Sequence, residues 1–519
     1  MADSLRAGRL AAACAVFCLL LGIASEGALG QSGPPRVSGA RSYELVFSTY
    51  FGEKMDCRGM CVDARGNVYL AGSTWSADYP TTEGAYGRKY HGDADMAISK
   101  WSPEGKLIWS TLIGSGGHDR PYTVKVDSKG CVYAGGIGSV GMPTSPDAFQ
   151  PNPLAHSNNE KVPGEEYRGS NGYVVKLSPD GSKVLWGSFV GSHIENRDLA
   201  IDDEDNVYLT FGWWSKAVGQ MPESWFANAF CKKPHGPYDL GVMKVSSDGK
   251  RVFWATYIGG TGGNNLEASL AVGPDHCPVV FTGTRSKDMP TTPCAFSEKP
   301  NSAWLGKFSA DGSRLLFGTY LGDHRSANPR THGVALDPKG DIFVGFQSEG
   351  PVWPATPGSF QPKYGGGNTD YAIGKFSPTG KLLVATYLGG SGDEVNGPDT
   401  ITTDRDGNLL ITGGWGTTSA DYPVTPGCFQ PKRMAERNNA VFSLLSNDLS
   451  TLLYSTFMGG SRGGNLRANC FGPDDSIWVS GGAWSPDWPL RNPYPNGHKS
   501  GLVLAKFKPI ALEGGAHAR

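Results

Sequence analysis

Residues 44–52 read ELVFSTYFG, a run of β-branched and aromatic residues closed by a glycine. Close copies recur as WSTLIG (109–114), WGSFVG (186–191), WATYIG (254–259), FGTYLG (317–322), VATYLG (384–389) and YSTFMG (454–459). The closing residues, Gly52, Gly114, Gly191, Gly259, Gly322, Gly389 and Gly459, stand 62 to 77 residues apart. That period is too long for most solenoid repeats and too short for an immunoglobulin-type sandwich. The first period holds four strand-like runs, Met60–Val62, Asn67–Gly72, Met96–Trp101 and Lys106–Ile113. Four antiparallel strands per repeat make a propeller blade, and seven blades close a ring. The expected fold is therefore all-β, a seven-bladed β-propeller of four-stranded antiparallel blades.

The turns support this independently. Between the first two strands comes Asp63-Ala64-Arg65-Gly66-Asn67, with counterparts at Asp127–Cys131, Asp337–Asp341 and Asp404–Asn408. Asp can accept backbone N–H bonds across such a turn, and the glycine suits a left-handed position. Where that glycine is missing, Asp205, His276 or Asp475 takes its place, residue types that tolerate positive φ. A second turn, Ser102-Pro103-Glu104-Gly105, recurs at Ser178–Gly181, Ser246–Gly249, Ser309–Gly312, Ser377–Gly380 and, degenerate, Ser446–Leu449. Blade seven supplies three strands of its own, ending with Gly501–Lys508. ELVFSTYFG is then its outer strand, donated by the N-terminal part of the chain to pair with Leu502–Lys508. Such pairing closes the ring and covers a sheet edge.

The chain has 519 residues with 73 Gly, 36 Pro and 14 Trp, a composition suited to short strands and many turns. Its net charge of −2 gives no bulk basic field for nucleic acid. Residues 1–30 read as a secretory signal: Arg6 and Arg9 precede the apolar run Leu10–Ala24, and Ala28-Leu29-Gly30 predicts cleavage before Gln31. Residues 31–42 are expected to be a short linker, 43–510 the propeller and 511–519 a tail. No later segment is apolar for long enough to be a membrane helix. The expected location is outside the cytoplasm, whether periplasmic, cell-surface or extracellular. Export makes eight cysteines eligible for disulfides, and Cys61 and Cys470 fall in neighbouring inner strands once the ring closes.

The segments resembling xYSTYLGGSGD, VDxxGNxYxTG and DYPTTxGAFQ recur in order over Glu44–Ile510. They stand together in Ala385–Gln430, ATYLGGSGDEVNGPDTITTDRDGNLLITGGWGTTSADYPVTPGCFQ. This pattern resembles the bacterial seven-bladed β-propeller repeat (SBBP) family. The resemblance implies a propeller of exported or cell-surface proteins and brings no established reaction or catalytic residue. Blade three (FGWWSKAVGQMPESW) and the 151–171 insertion of blade two depart from the pattern.

Both kinds of short turn belong to one face of the disk, and all variation in loop length belongs to the other. Binding concentrates on variable loops over a rigid scaffold, so the long-loop face around the channel mouth is the expected site. Arg58, Arg120, Arg197, Arg330 and Arg467 lie five or seven residues before their blades' turns. Guanidinium forks there suit carboxylate, sulfate or phosphate groups. The competing reading pairs them with Glu53, Asp56, Asp119, Glu195, Asp198, Asp323 or Asp399. Trp75, Trp214, Trp415 and Trp484 follow second strands and offer either sugar-stacking surfaces or packing wedges. His118, His193, His324 and His332 also fall in these loops, without a metal-binding spacing.

No cofactor is expected. Asp393, Glu394 and Asp399 supply oxygen ligands of the kind calcium takes, though without EF-hand spacing. The leading expectation is a non-catalytic recognition propeller that binds a polysaccharide or an envelope protein. The alternative is a polysaccharide lyase or hydrolase with His193 or His332 as base and arginines neutralising a uronate. A purely structural envelope component is a third reading.

Overall fold

A computed structural model describes residues 36–37, 41–154, 171–191, 198–215, 217, 219–293, 295–322, 333–495 and 497–510, with backbone alone at 36 and 264–267. The strands group into seven sheets around a central channel. Blade one consists of Met55–Val62, Val68–Thr74, Asp95–Trp101 and Leu107–Ile113, from channel to rim. Blades two to six repeat that order, ending at the outer strands Val184–Val190, Val252–Ile258, Leu315–Leu321, Leu382–Leu388 and Thr451–Met458. Among the described residues, no helix is long and apolar enough to cross a membrane.

Blade seven is completed as expected. Ser42–Tyr50 pairs antiparallel with Gly501–Ile510, with Glu44 opposite Lys508 and Tyr50 opposite Val503. Tyr43, Phe47, Tyr50 and Phe51 are buried along this strand, so closure brings apolar packing as well as hydrogen bonds. The segment does more than the sequence suggested. Arg36–Val37, in the expected linker, pairs in parallel with Thr451 and Leu452, giving blade six a fifth strand.

The turn residues behave as their sterics require. Gly66, Gly130, Gly340 and Gly407 have φ near +80°, and Asp205, His276 and Asp475 take φ values of 63°, 56° and 58° in their place. The second turn has a further reason for glycine. A Cβ on Gly181 would lie 2.6 Å from the Trp109 ring, and one on Gly249 would lie 2.4 Å from Trp186. Each of these indoles also donates to a carbonyl of the next blade, Trp109 Nε1 to Pro179 and Trp186 Nε1 to Ser247, both at 3.0 Å. The turn of one blade thus caps the outer strand of its predecessor.

Beneath these turns runs a ladder of ion pairs. Lysines on the third strands reach carboxylates of the first turns: Lys176–Asp127 and Lys244–Asp202 at 2.9 Å, Lys307–Asp275 at 2.6 Å, Lys375–Asp337 at 3.1 Å and Lys506–Asp474 at 3.2 Å. Most of these ammonium groups also lie over an aromatic ring of the second strand, such as Tyr133 at 4.7 Å or Trp478 at 5.3 Å. Blade six has Leu444 at the lysine position, and Arg41 of the N-terminal segment supplies the cation to Asp404 at 2.8 Å. The seven described cysteines are free thiols, so Cys61 and Cys470 form no staple.

Candidate functional site

The inner strands reach the channel mouth through β-bulges. In blade one the pairing passes from Cys57–Gly72 to Gly59–Ala71, leaving Arg58 as the extra residue. The register skips Tyr122 in blade two and Asp399 in blade six in the same way. A bulge turns its extra side chain out of the regular alternation. This is why the inner strand of blade one begins at Met55 rather than Met60, and how Arg58 comes to line the channel.

Three arginines from three blades converge on one carboxylate. Asp56 accepts from Arg58 Nε at 3.2 Å, from Arg120 Nη2, and from Arg467 Nη1 at 3.4 Å. Arg467 Nε also donates to Asp399. Burial alone would raise the pKa of Asp56, but Arg467, Arg58 and Arg120 together hold it well below the usual carboxylate range. The crowding also acts on the cations. Burial and the like charges of Arg467 and Arg120 pull Arg58 down to about 10. The pairing read from the sequence therefore holds for Asp56 and Asp399.

Tryptophans flank this cluster. Trp75, Trp415 and Trp484 are 36–40% exposed. Trp415 and Trp484 stack at 6.4 Å with 16° between planes. Arg467 lies 5.7 Å over Trp415, and Arg120 lies 6.0 Å from the Trp75 ring centre. On the other side Trp75 meets His118 at 6.3 Å. The result is an arc of alternating rings and guanidinium groups that runs from Trp484 through Trp415, Arg467, Asp56 and Arg120 to Trp75. Trp214 is different. It ends the long second strand of blade three, is 5% exposed and stacks on Tyr238 at 6.2 Å, so it is a packing residue.

A cavity of about 130 Å³ opens inside the mouth, with Arg58, Tyr122, Lys125, Asp198, Asp399 and Arg467 in its wall. Asp198 is tied to Thr123 Oγ1 at 3.1 Å and to the amides of Leu199 and Leu270 at 2.9 and 3.0 Å. Burial raises its pKa, against the attraction of Lys125. Arg197, Arg330, His193 and His332 lie outside the described residues.

The carboxylates suggested for calcium do not gather. Asp393 accepts from the amide of Asn368 at 2.6 Å, and Asp399 is held by Arg467. Glu394 is fully buried, accepts from Thr417 Oγ1 and Ser419 Oγ at 2.7 Å, and shares a hydrogen bond with the buried Asp370. Burial, with Asp370 alongside, pushes its pKa up to about 9, so it is a neutral acid at neutral pH. Among the described residues, the one group of three ligating side chains is Asp202, Glu204 and His276, on the short-turn face. Lys244 sits 2.9 Å from Asp202 there and occupies the charge that a cation would need.

Residues 46–80 match the SBBP family, described as a beta-propeller repeat, and the chain that carries this repeat is a seven-bladed propeller. No curated protein matches the chain. Among solved structures, the chain is similar to the WD40 repeats of RRP9, at 9% identity and a TM-score of 0.42, over 90% of this chain and all of that one. It is similar to a protein of unknown function from Dyadobacter fermentans, at 14% identity and a TM-score of 0.38, over 90% and 100% of the two chains. It is also similar to the quinohemoprotein alcohol dehydrogenase of Comamonas testosteroni, at 9% identity and a TM-score of 0.41, over 93% and 79%. At such overlap these likenesses carry no functional conclusion.

Proposed function

We propose that this protein is an exported, non-catalytic recognition propeller that binds a glycan of the cell envelope or surroundings through its long-loop face. The observation that carries this reading is the arc of exposed indoles and guanidinium groups at the channel mouth, assembled from blades six, seven, one and two. Flat rings stack on sugar faces, and fixed polar groups beside them orient hydroxyls. The signal-like residues 1–30 support export. An envelope protein is the alternative partner on the same face. The lyase or hydrolase reading rests on His193 and His332 and draws no support from the described geometry.

The test is affinity electrophoresis of the mature chain, Gln31–Arg519, through gels containing neutral or uronic-acid polysaccharides. Retardation by at least one polymer is expected, and it should disappear in a Trp415→Ala, Trp484→Ala double variant whose thermal unfolding matches that of the parent. Retardation that survives the double variant, or none in any gel, contradicts the reading.

A further inference from the structure

We infer that Cys231 and His235 form a binding site for a thiophilic d10 cation, zinc or copper(I), in a cavity between blades three and four. The site is independent of whatever the channel mouth binds. Three observations carry it.

The first is a break in the repeat. After the phenylalanine of the long loop, blades two, five and six carry glutamine (Gln150, Gln361 and Gln430), whereas blade three carries Cys231. The four residues are placed alike, each donating its amide to a hydroxyl of the outer strand at 2.9–3.0 Å. The side chains of Gln361 and Gln430 accept the amides of Gly389 and Gly459 at 3.1 Å and fill the gap beyond the outer strand. Cys231 is shorter. Its thiol donates to the carbonyl of Lys233 at 3.1 Å, and a cavity of about 510 Å³ remains against Gly259, the counterpart of those glycines.

The second is the donor pair. Cys231 Sγ lies 3.6 Å from His235 Nδ1, and both residues line the cavity. An ion about 2.3 Å from the sulfur and about 2.0–2.1 Å from the nitrogen spans such a gap at about 110°, the angle between tetrahedral ligands. A thiolate with an imidazole selects zinc or copper(I), whereas calcium and magnesium take oxygen. The thiol has one proton and its nearer acceptor is Lys233, so the imidazole is not needed to satisfy it. Among the described cysteines, Cys231 is the one whose thiol meets an imidazole; the buried Cys57, by contrast, bonds backbone carbonyls.

The third is the setting. Cys231 is half-buried and His235 exposed, so an ion can enter from solvent and keep water in its remaining positions. Phe230, Tyr257 and Pro290 give the cavity an apolar wall, which strengthens metal–ligand contacts. Lys232, Lys233 and Asp288 supply its charges. With the thiolate formed, these groups sum to zero before the ion arrives, which favours the lower charge of copper(I) over zinc.

The experiment titrates the reduced mature chain, Gln31–Arg519, with zinc or copper(I) in competition with a chromophoric chelator. One equivalent of at least one ion should bind, and calcium and magnesium should not compete. Cys231→Gln restores the residue of the repeat and should abolish binding with no fall in melting temperature. Cys231→Ser, which keeps the cavity, should lose the ion as well, and His235→Gln should weaken binding about tenfold or more. Cobalt(II), as a stand-in for zinc, should give the parent a sulfur-to-metal charge-transfer band that Cys231→Gln lacks. Binding of copper(I) alone identifies a monovalent site, and binding of zinc identifies a site that also accepts a dication; either upholds the assignment. No ion bound beyond the level of Cys231→Gln overturns it. So does binding that His235→Gln leaves unchanged.

Discussion

The two faces of the disk handle charge in opposite ways. On the short-turn face, each buried lysine meets its own carboxylate, and where blade six lacks the lysine, Arg41 restores the pair from outside the repeat. At the long-loop mouth, three arginines from blades one, two and seven meet on Asp56, and Arg467 also reaches Asp399 of blade six. The first pattern is what a scaffold needs, because an unpaired buried charge costs several kcal/mol. The second gathers charges from several blades on one shared carboxylate. Repetition marks the structural side of this molecule, and its interruption marks the side proposed to bind.

The scaffold breaks hardest at its closure. Deleting Ser42–Phe51 removes four buried aromatic side chains, and at roughly 2–3 kcal/mol each the loss rivals the whole stability of an ordinary domain, about 5–15 kcal/mol. The truncated chain should show no cooperative thermal transition; an unchanged melting curve would contradict ring closure. Next comes Asp127→Ala, which strands the buried Lys176 ammonium and frees the turn amides of Lys129 and Cys131. It should cost about 3–5 kcal/mol in urea unfolding. A third effect is that of pH on the long-loop side. The Glu394 carboxyl keeps its proton in the folded protein up to about pH 9, whereas the unfolded chain loses it near 4.5. The raised folded value means that the stability this group contributes is complete below pH 4.5 and drains away as pH rises toward 9. Glu394→Gln should therefore flatten the fall in stability with pH and melt above the parent at pH 8.

Much of this was legible in the residues. The recurring strand and its glycine gave the blade count, and ELVFSTYFG without a preceding blade gave the closure, confirmed by the pairing of Glu44 with Lys508. The left-handed turn positions followed from sterics, as Asp205, His276 and Asp475 show. The lysine ladder left a signal that went unread: Lys100, Lys176, Lys244, Lys307 and Lys375 each stand two residues before the serine of a second turn. The bulges at Arg58, Tyr122 and Asp399 left none, because an extra residue in one strand shows only when its partner is in place. Which of the two tryptophan readings applies to Trp214 was hidden for a related reason. It follows a second strand as the other tryptophans do, but that strand extends through it and buries it on Tyr238.

The separation of the two faces is tested most directly by taking Asp127→Ala and the double variant Arg58→Ala, Arg120→Ala through the same pair of assays, thermal unfolding and retardation in a uronic-acid gel. The account predicts that Asp127→Ala melts well below the parent yet, while folded, is still retarded. The arginine double variant should melt within a few degrees of the parent, about the effect of 1 kcal/mol, and run unretarded. An arginine variant that unfolds early but still binds would show that the cluster is part of the scaffold, and would contradict the central claim.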